Sequence, residues 1–68
     1  MPTPEAIAAN VRAEMARRRL RAVTVAAELG MSQPAMSRRL SGEVPFTAIE
    51  VYRLAQILDV PIESLFAT

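Results

Sequence analysis

The chain of 68 residues has no cysteine, histidine, tryptophan or lysine, and it holds only two glycines and three aromatic residues. Without cysteine there is no disulfide framework, and without cysteine and histidine the usual zinc ligands are gone. Thiol and imidazole catalysis go with them. No remaining side chain has an unperturbed pKa near neutrality, and no glycine-rich phosphate loop is present, so an enzyme is not expected. Long apolar runs are also missing, since the longest, Ala6 to Ala9, is far too short to span a membrane. The opening Met1-Pro2-Thr3-Pro4-Glu5 lacks the basic-then-apolar layout of a secretory signal. The expectation is one cytoplasmic domain over residues 1–68, with no membrane segment, metal, cofactor or small-molecule substrate. Its core is small, because a chain this short buries only about 60% of the surface its unfolded form exposes.

The net charge of +1 hides an asymmetry. Residues 1–42 hold seven arginines against three glutamates, a net of +4, and residues 43–68 hold Arg53 against four acids, a net of −3. Such a division suggests one face meant for a polyanion and another kept off it. Every basic residue is arginine, the better planar donor to phosphate and guanine. A GC-rich genome gives the same bias, so composition alone does not assign the arginines.

No segment alternates apolar and polar residues as a strand does, and good helix formers dominate, so the fold class is all-α. The signals predict five helices. The first starts at Thr3 as N-cap with Pro4 at its first position, carries the stripe Ile7, Val11, Met15, and runs to about Arg19 or Leu20. The second covers about Ala22 to Leu29 and stops at Gly30, where a positive φ is free of steric cost. Ser32 caps the third, about Gln33 to Leu40, which tolerates Pro34 because first-turn N–H groups have no intrahelical partner. Thr47-Ala48-Ile49-Glu50 is a capping box opening the fourth, with Phe46 and Val51 spaced as a hydrophobic staple. Pro61 opens a short fifth helix, Ile62 to Phe66. Tyr52 reads as a half-buried core ring, and Phe66 as the last core residue or an interface anchor.

Residues 22–41 carry the specific signal: two helices of about eight residues meeting across a short turn that contains Gly30. That is the helix-turn-helix plan, whose second helix enters the major groove. The small Ala26 suits the helix crossing, and Val25, Leu29, Met31 and Met36 supply apolar contacts. Ala26-Ala27-Glu28-Leu29-Gly30-Met31-Ser32-Gln33 resembles the phage Cro and repressor-type helix-turn-helix family, whose commonest pattern there is Ala-x-x-Leu-Gly-x-Ser-Gln. The endings Leu54 to Val60 and Ile62 to Phe66 are similar to that family too. The resemblance covers nearly the whole chain and implies a compact five-helix, lambda-repressor-like DNA-binding domain.

Departures from the family pattern are informative. A Thr-Gln pair often opens the second helix in the family, with the Gln on a phosphate, whereas here Arg21-Ala22 stands, making Arg21 the candidate replacement. The loop after the third helix is often basic, yet Glu43 here repels phosphate. An Arg late in helix one and a Glu late in helix three are often paired, whereas Met15 and Leu40 occupy those places. Replacing both members of an ion pair by apolar residues is often neutral or stabilising, so Met15 is expected to pack against a buried Leu40. Arg39 stands where an apolar residue is usual and must carry its charge outward along its stem.

Base reading needs donors and acceptors on one exposed helix face. Gln33, Ser37 and Arg38 are the candidates, Gln suiting adenine and Arg suiting guanine. Phosphate candidates are Arg21, Ser32, Arg39 and Ser41, with Ser32 primarily a cap, while Arg17 to Arg19 read more plainly as a solvated face. The expected function is sequence-specific binding of double-stranded DNA by a small phage- or prophage-type transcriptional repressor, associated with the nucleoid. A homodimer is expected, with Val60, Pro61, Ile62 and Phe66 as its interface. The alternatives are a helix-turn-helix protein-interaction module using the acidic half, an antitoxin, or an excision accessory factor.

Overall fold

Three helices begin in the same way, with a hydroxyl side chain accepting from an otherwise orphaned backbone N–H. In the computed structural model, which describes residues 2–68, Thr3 Oγ1 accepts from Ala6 N–H at 3.1 Å and opens α1 (Pro4–Arg17). Ser32 Oγ accepts from Ala35 N–H at 3.3 Å and opens α3 (Gln33–Leu40). Thr47 Oγ1 accepts from Glu50 N–H at 3.1 Å, Glu50 Oε1 accepts from Thr47 N–H at 2.9 Å, and this capping box opens α4 (Ala48–Leu58). Helix α2 (Ala22–Leu29) follows Arg21 with no side-chain cap, and α5 (Glu63–Phe66) completes an all-α chain with no strand among the described residues.

Three helices also end alike. Arg19, Gly30 and Asp59 adopt left-handed backbone with φ of 54°, 69° and 55°. Each is followed by an apolar residue whose N–H reaches back to the helix: Leu20 to Met15 O (3.0 Å), Met31 to Ala26 O (2.8 Å) and Val60 to Ala55 O (3.0 Å). The left-handed residues themselves donate to Ala16, Ala27 and Gln56, completing the paired bonds of a Schellman stop. The apolar residue after each stop folds back onto the core. Helix one stops at Arg17 rather than Arg19 or Leu20, because Arg19 takes the left-handed position without a glycine to signal it. The fifth helix starts at Glu63, with Ile62 as its flanking residue.

The buried side chains form one cluster: Val11 and Met15 from α1, Val25, Ala26 and Leu29 from α2, Met36 from α3, Phe46, then Val51, Leu54, Ala55 and Leu58 from α4, and Leu65 from α5. Phe46 and Val51, the two ends of the predicted staple, are both buried there. Ala26, the small residue expected at the helix crossing, is buried. Leu65 is the last core residue, while Phe66 stays partly exposed, and Tyr52 is 56% exposed rather than half-buried. Leu40 is only half-buried at the margin of the cluster, whereas Met15 is enclosed.

Polar side chains tie the helix ends together. Arg53 Nη1 and Nη2 on α4 donate to Leu29 O (3.3 Å) and Glu28 O (2.6 Å) at the end of α2. Arg12 on α1 donates to Leu40 O at the end of α3. Asn10 Nδ2 donates to Leu65 O (3.0 Å) and Ala67 O (2.6 Å), binding the C-terminal segment to α1. The bonds to Glu28, Leu29, Leu40 and Leu65 satisfy carbonyls a helix end leaves without an intrahelical partner, and the two arginines also suit the negative end of the helix dipole. Gly42 has φ of 85° and packs so closely on α1 that an added Cβ would lie 3.1 Å from Glu5 Cα.

Candidate nucleic-acid interface

Helix α3 has one buried side and one exposed side, and the division sets which of its residues are available. Met36 points into the core. Gln33, Ser37 and Arg38 are all exposed, so the three candidate base readers share the solvent side of one short helix. Positions four apart lie one above the other on a helix, and Gln33 and Ser37 line one concave patch with Ala22, Met36 and Leu40. Helix α3 is held at both ends: Ser32 caps its start, Arg12 satisfies Leu40 O, and Ser41 Oγ donates to Arg38 O at 2.9 Å.

The eight arginines divide by partner. Arg12 and Arg53 serve helix ends, as above. Arg17 and Arg18 both hold Glu14, at 2.8 and 2.5 Å. Arg39 Nε meets Glu50 Oε1 at 3.1 Å, with side chains 21% and 19% exposed, and its Nη1 donates to Ala35 O. Its head therefore turns along the protein toward α4, and the outward reach expected of it is not its course. Arg38 Nε lies 3.9 Å from Glu43 Oε2, a loose pair between two well-exposed side chains. Arg19 and Arg21 have no acceptor among the described residues, and both are exposed beside Leu20 at the turn into α2.

Of the phosphate candidates, Arg21 and Ser32 are thus open to solvent. Ser41 is exposed but spends its hydroxyl within the turn, donating to Arg38 O and accepting from Glu43 N–H at 3.3 Å. Arg19, expected with Arg17 and Arg18 on a solvated face, is exposed and, unlike those two, holds no carboxylate among the described residues. Its signal as a helix stop, a polar residue before an isolated apolar one at a helix end, is hard to see without glycine. Among the described residues there is no cluster of acids able to hold a metal ion. No buried side-chain polar atom there lacks a partner.

A second exposed region lies on α4. Ile49 is 72% and Tyr52 56% exposed. Beside them a cavity of about 370 Å3 is lined by Tyr52, Ala55, Gln56, Asp59, Val60 and Ile62. Val60 and Ile62, expected at an interface, thus border this cavity together with Tyr52, Ala55 and Gln56 of α4.

The sequence model of the helix-turn-helix domain matches residues 6–66, nearly the full chain. The chain belongs to the helix-turn-helix domain family. No curated protein and no solved structure matches it. The match takes in the two helices of the motif together with most of α1 and all of α4 and α5, so this helix-turn-helix domain has its supporting helices within the family pattern. Membership agrees with the resemblance in the sequence and marks a DNA-binding regulator of a typically non-enzymatic family. No helix among the described residues is long and apolar enough to cross a membrane.

Proposed function

We propose that this helix-turn-helix domain is a transcriptional repressor of the small phage or prophage type that reads duplex DNA with α3. The observation that carries the reading is the exposed set Gln33, Ser37 and Arg38 on a helix whose opposite side is locked into the core. Gln33 would pair with adenine and Arg38 with guanine through bidentate geometry. Arg21, with Arg19 beside it, would neutralise phosphates where α2 begins, and Ser32 would add a hydroxyl contact. Arg39 and Ser41 are weaker members of this set because their polar atoms are already engaged.

A domain of this size makes few contacts, so a homodimer on two half-sites about one helical turn apart supplies the affinity. The exposed Ile49 and Tyr52 and the adjoining cavity with Val60 and Ile62 support a second copy on this face, and Pro61 and Phe66 are exposed as such an interface requires. The same face favours one alternative, a module that docks another protein through its acidic half.

Selection of bound duplexes from a random pool tests the reading. Enrichment of a two-fold-symmetric sequence is expected. Arg38→Ala should then relax preference at one base position and cost about 1–3 kcal/mol. Arg21→Ala should weaken binding evenly across sequences and lower the salt slope by about one. No enrichment at moderate salt would favour the protein-docking alternative, and a monomer protecting one half-site would refute the dimer.

A further inference from the structure

The concave patch beside α3 is a cavity of about 200 Å3 lined by Ala22, Gln33, Met36, Ser37 and Leu40. Its lining is mainly apolar: the buried Met36, the half-buried Leu40 and the methyl of Ala22. Gln33 and Ser37 add polar atoms to it. The cavity is continuous with the surface read above as the DNA interface, since two of its five lining residues are base-reading candidates. Its apolar character selects the occupant. The major-groove edges of the bases offer hydrogen-bond donors and acceptors together with one apolar group, the thymine 5-methyl. A phosphate would gain nothing from Met36 and Leu40, and burying it against them without partners would cost free energy.

Position points the same way. Ala22 directly follows Arg21, the phosphate candidate, while Gln33 is the candidate base reader, so the cavity lies between a backbone contact and a base contact. In duplex DNA the C5 position of a pyrimidine lies toward the groove wall formed by its own strand. A group on C5 therefore falls between a base edge and a backbone phosphate. The volume exceeds one methyl and admits the C5–C6 edge of the ring behind it.

We infer that this cavity is a subsite for the 5-methyl group of a pyrimidine in the major groove, contributing a preference that hydrogen bonding by Gln33 and Arg38 does not supply. The inference rests on the DNA-binding reading. Thymine and 5-methylcytosine carry the same group, and the experiment separates them.

Each thymine of the selected duplex is replaced in turn by uracil, and affinity is measured by fluorescence anisotropy at one salt concentration. One thymine per half-site is expected to lose about fourfold on replacement, the value of one methyl-sized group removed from water. Ala22→Leu fills the cavity from an exposed first-turn position, and should bring the thymine-to-uracil ratio close to unity while thermal melting confirms folding. Cytosine and 5-methylcytosine are then compared at the same position. A gain on methylation equal to the uracil loss supports a general 5-methylpyrimidine subsite, whereas no gain supports one restricted to thymine. Uracil tolerated at every position within twofold, or a discrimination unchanged in Ala22→Leu, would overturn the subsite while leaving DNA binding intact. Absence of binding to any duplex would instead overturn the reading on which it rests.

Discussion

Glu50 is the residue whose loss should be felt most widely for its size. Its Oε1 accepts from Thr47 N–H at 2.9 Å, closing the capping box, and from Arg39 Nε at 3.1 Å, joining α4 to α3. In Glu50→Ala both bonds vanish, and Arg39, only 21% exposed, is left beside α4 without its carboxylate. Hydrogen bonds of this kind contribute about 1 kcal/mol each net, somewhat more when one partner is charged. The favourable placement of a negative charge at the start of α4 adds about 0.3–1 kcal/mol. The total, about 2–3 kcal/mol, is a large fraction of the stability of a small domain, about 0.05–0.15 kcal/mol per residue. Urea denaturation should show a lower midpoint at unchanged slope, and the melting temperature should fall by about 8–24 °C, at about 4–8 °C per kcal/mol for a domain of this size. Glu50→Gln keeps an oxygen acceptor for Thr47 N–H and should lose roughly half as much. Arg39→Ala measured alone and with Glu50→Ala should reveal coupling of at least about 0.5 kcal/mol. A loss below about 0.5 kcal/mol for Glu50→Ala, the range of ordinary surface substitutions, would refute the view that this carboxylate links the two helices.

Three further outcomes are expected. Arg19→Gly should raise the melting temperature by a few degrees, because left-handed backbone costs a side-chain-bearing residue about 1–2 kcal/mol, and no rise would mean that the Schellman stop holds Arg19 without strain. Glu43→Gln should increase affinity for non-specific duplex by up to about fivefold, since it frees Arg38 from an exposed pair worth at most about 1 kcal/mol; the same increase in an Arg38→Gln background would show that the pair is not the cause. Met15→Ala should destabilise by about 2–5 kcal/mol, as for enclosed core residues, and the half-buried Leu40→Ala by less, with additive losses in the double variant meaning that the two side chains do not meet.

Local chemistry fixed most of the helices in advance. Thr3, Ser32 and Thr47 were legible as caps because a hydroxyl before a helix has one favoured partner, the N–H two or three residues on. Gly30 was legible as a stop because a glycine at a helix end has an intrinsic reason to be there. Gln33, Ser37 and Arg38 were legible as exposed because they are polar positions of α3, while the apolar Met36 is the residue that helix buries. Arg19 and Asp59 perform the same stop as Gly30 without a glycine to signal it, and the Leu20 and Val60 that follow them pack against the core.

The fate of the arginines was decided by tertiary structure. A sequence counts eight equal cations, but whether one caps α2 from α4, as Arg53 does, or stands free, as Arg21 does, depends on which helix end lies within reach. Residues separated by 25 positions in sequence meet in the Arg53–Glu28 contact, and no local pattern encodes that distance. Leu40 is expected to be buried because it and Met15 stand where the family often pairs Arg with Glu, yet it is only half-buried and lines an open cavity together with Ala22. Capping and helical periodicity act over one or two turns and are therefore written in the sequence. Pairing and cavity formation depend on how separate helices meet, and only the folded chain determines them.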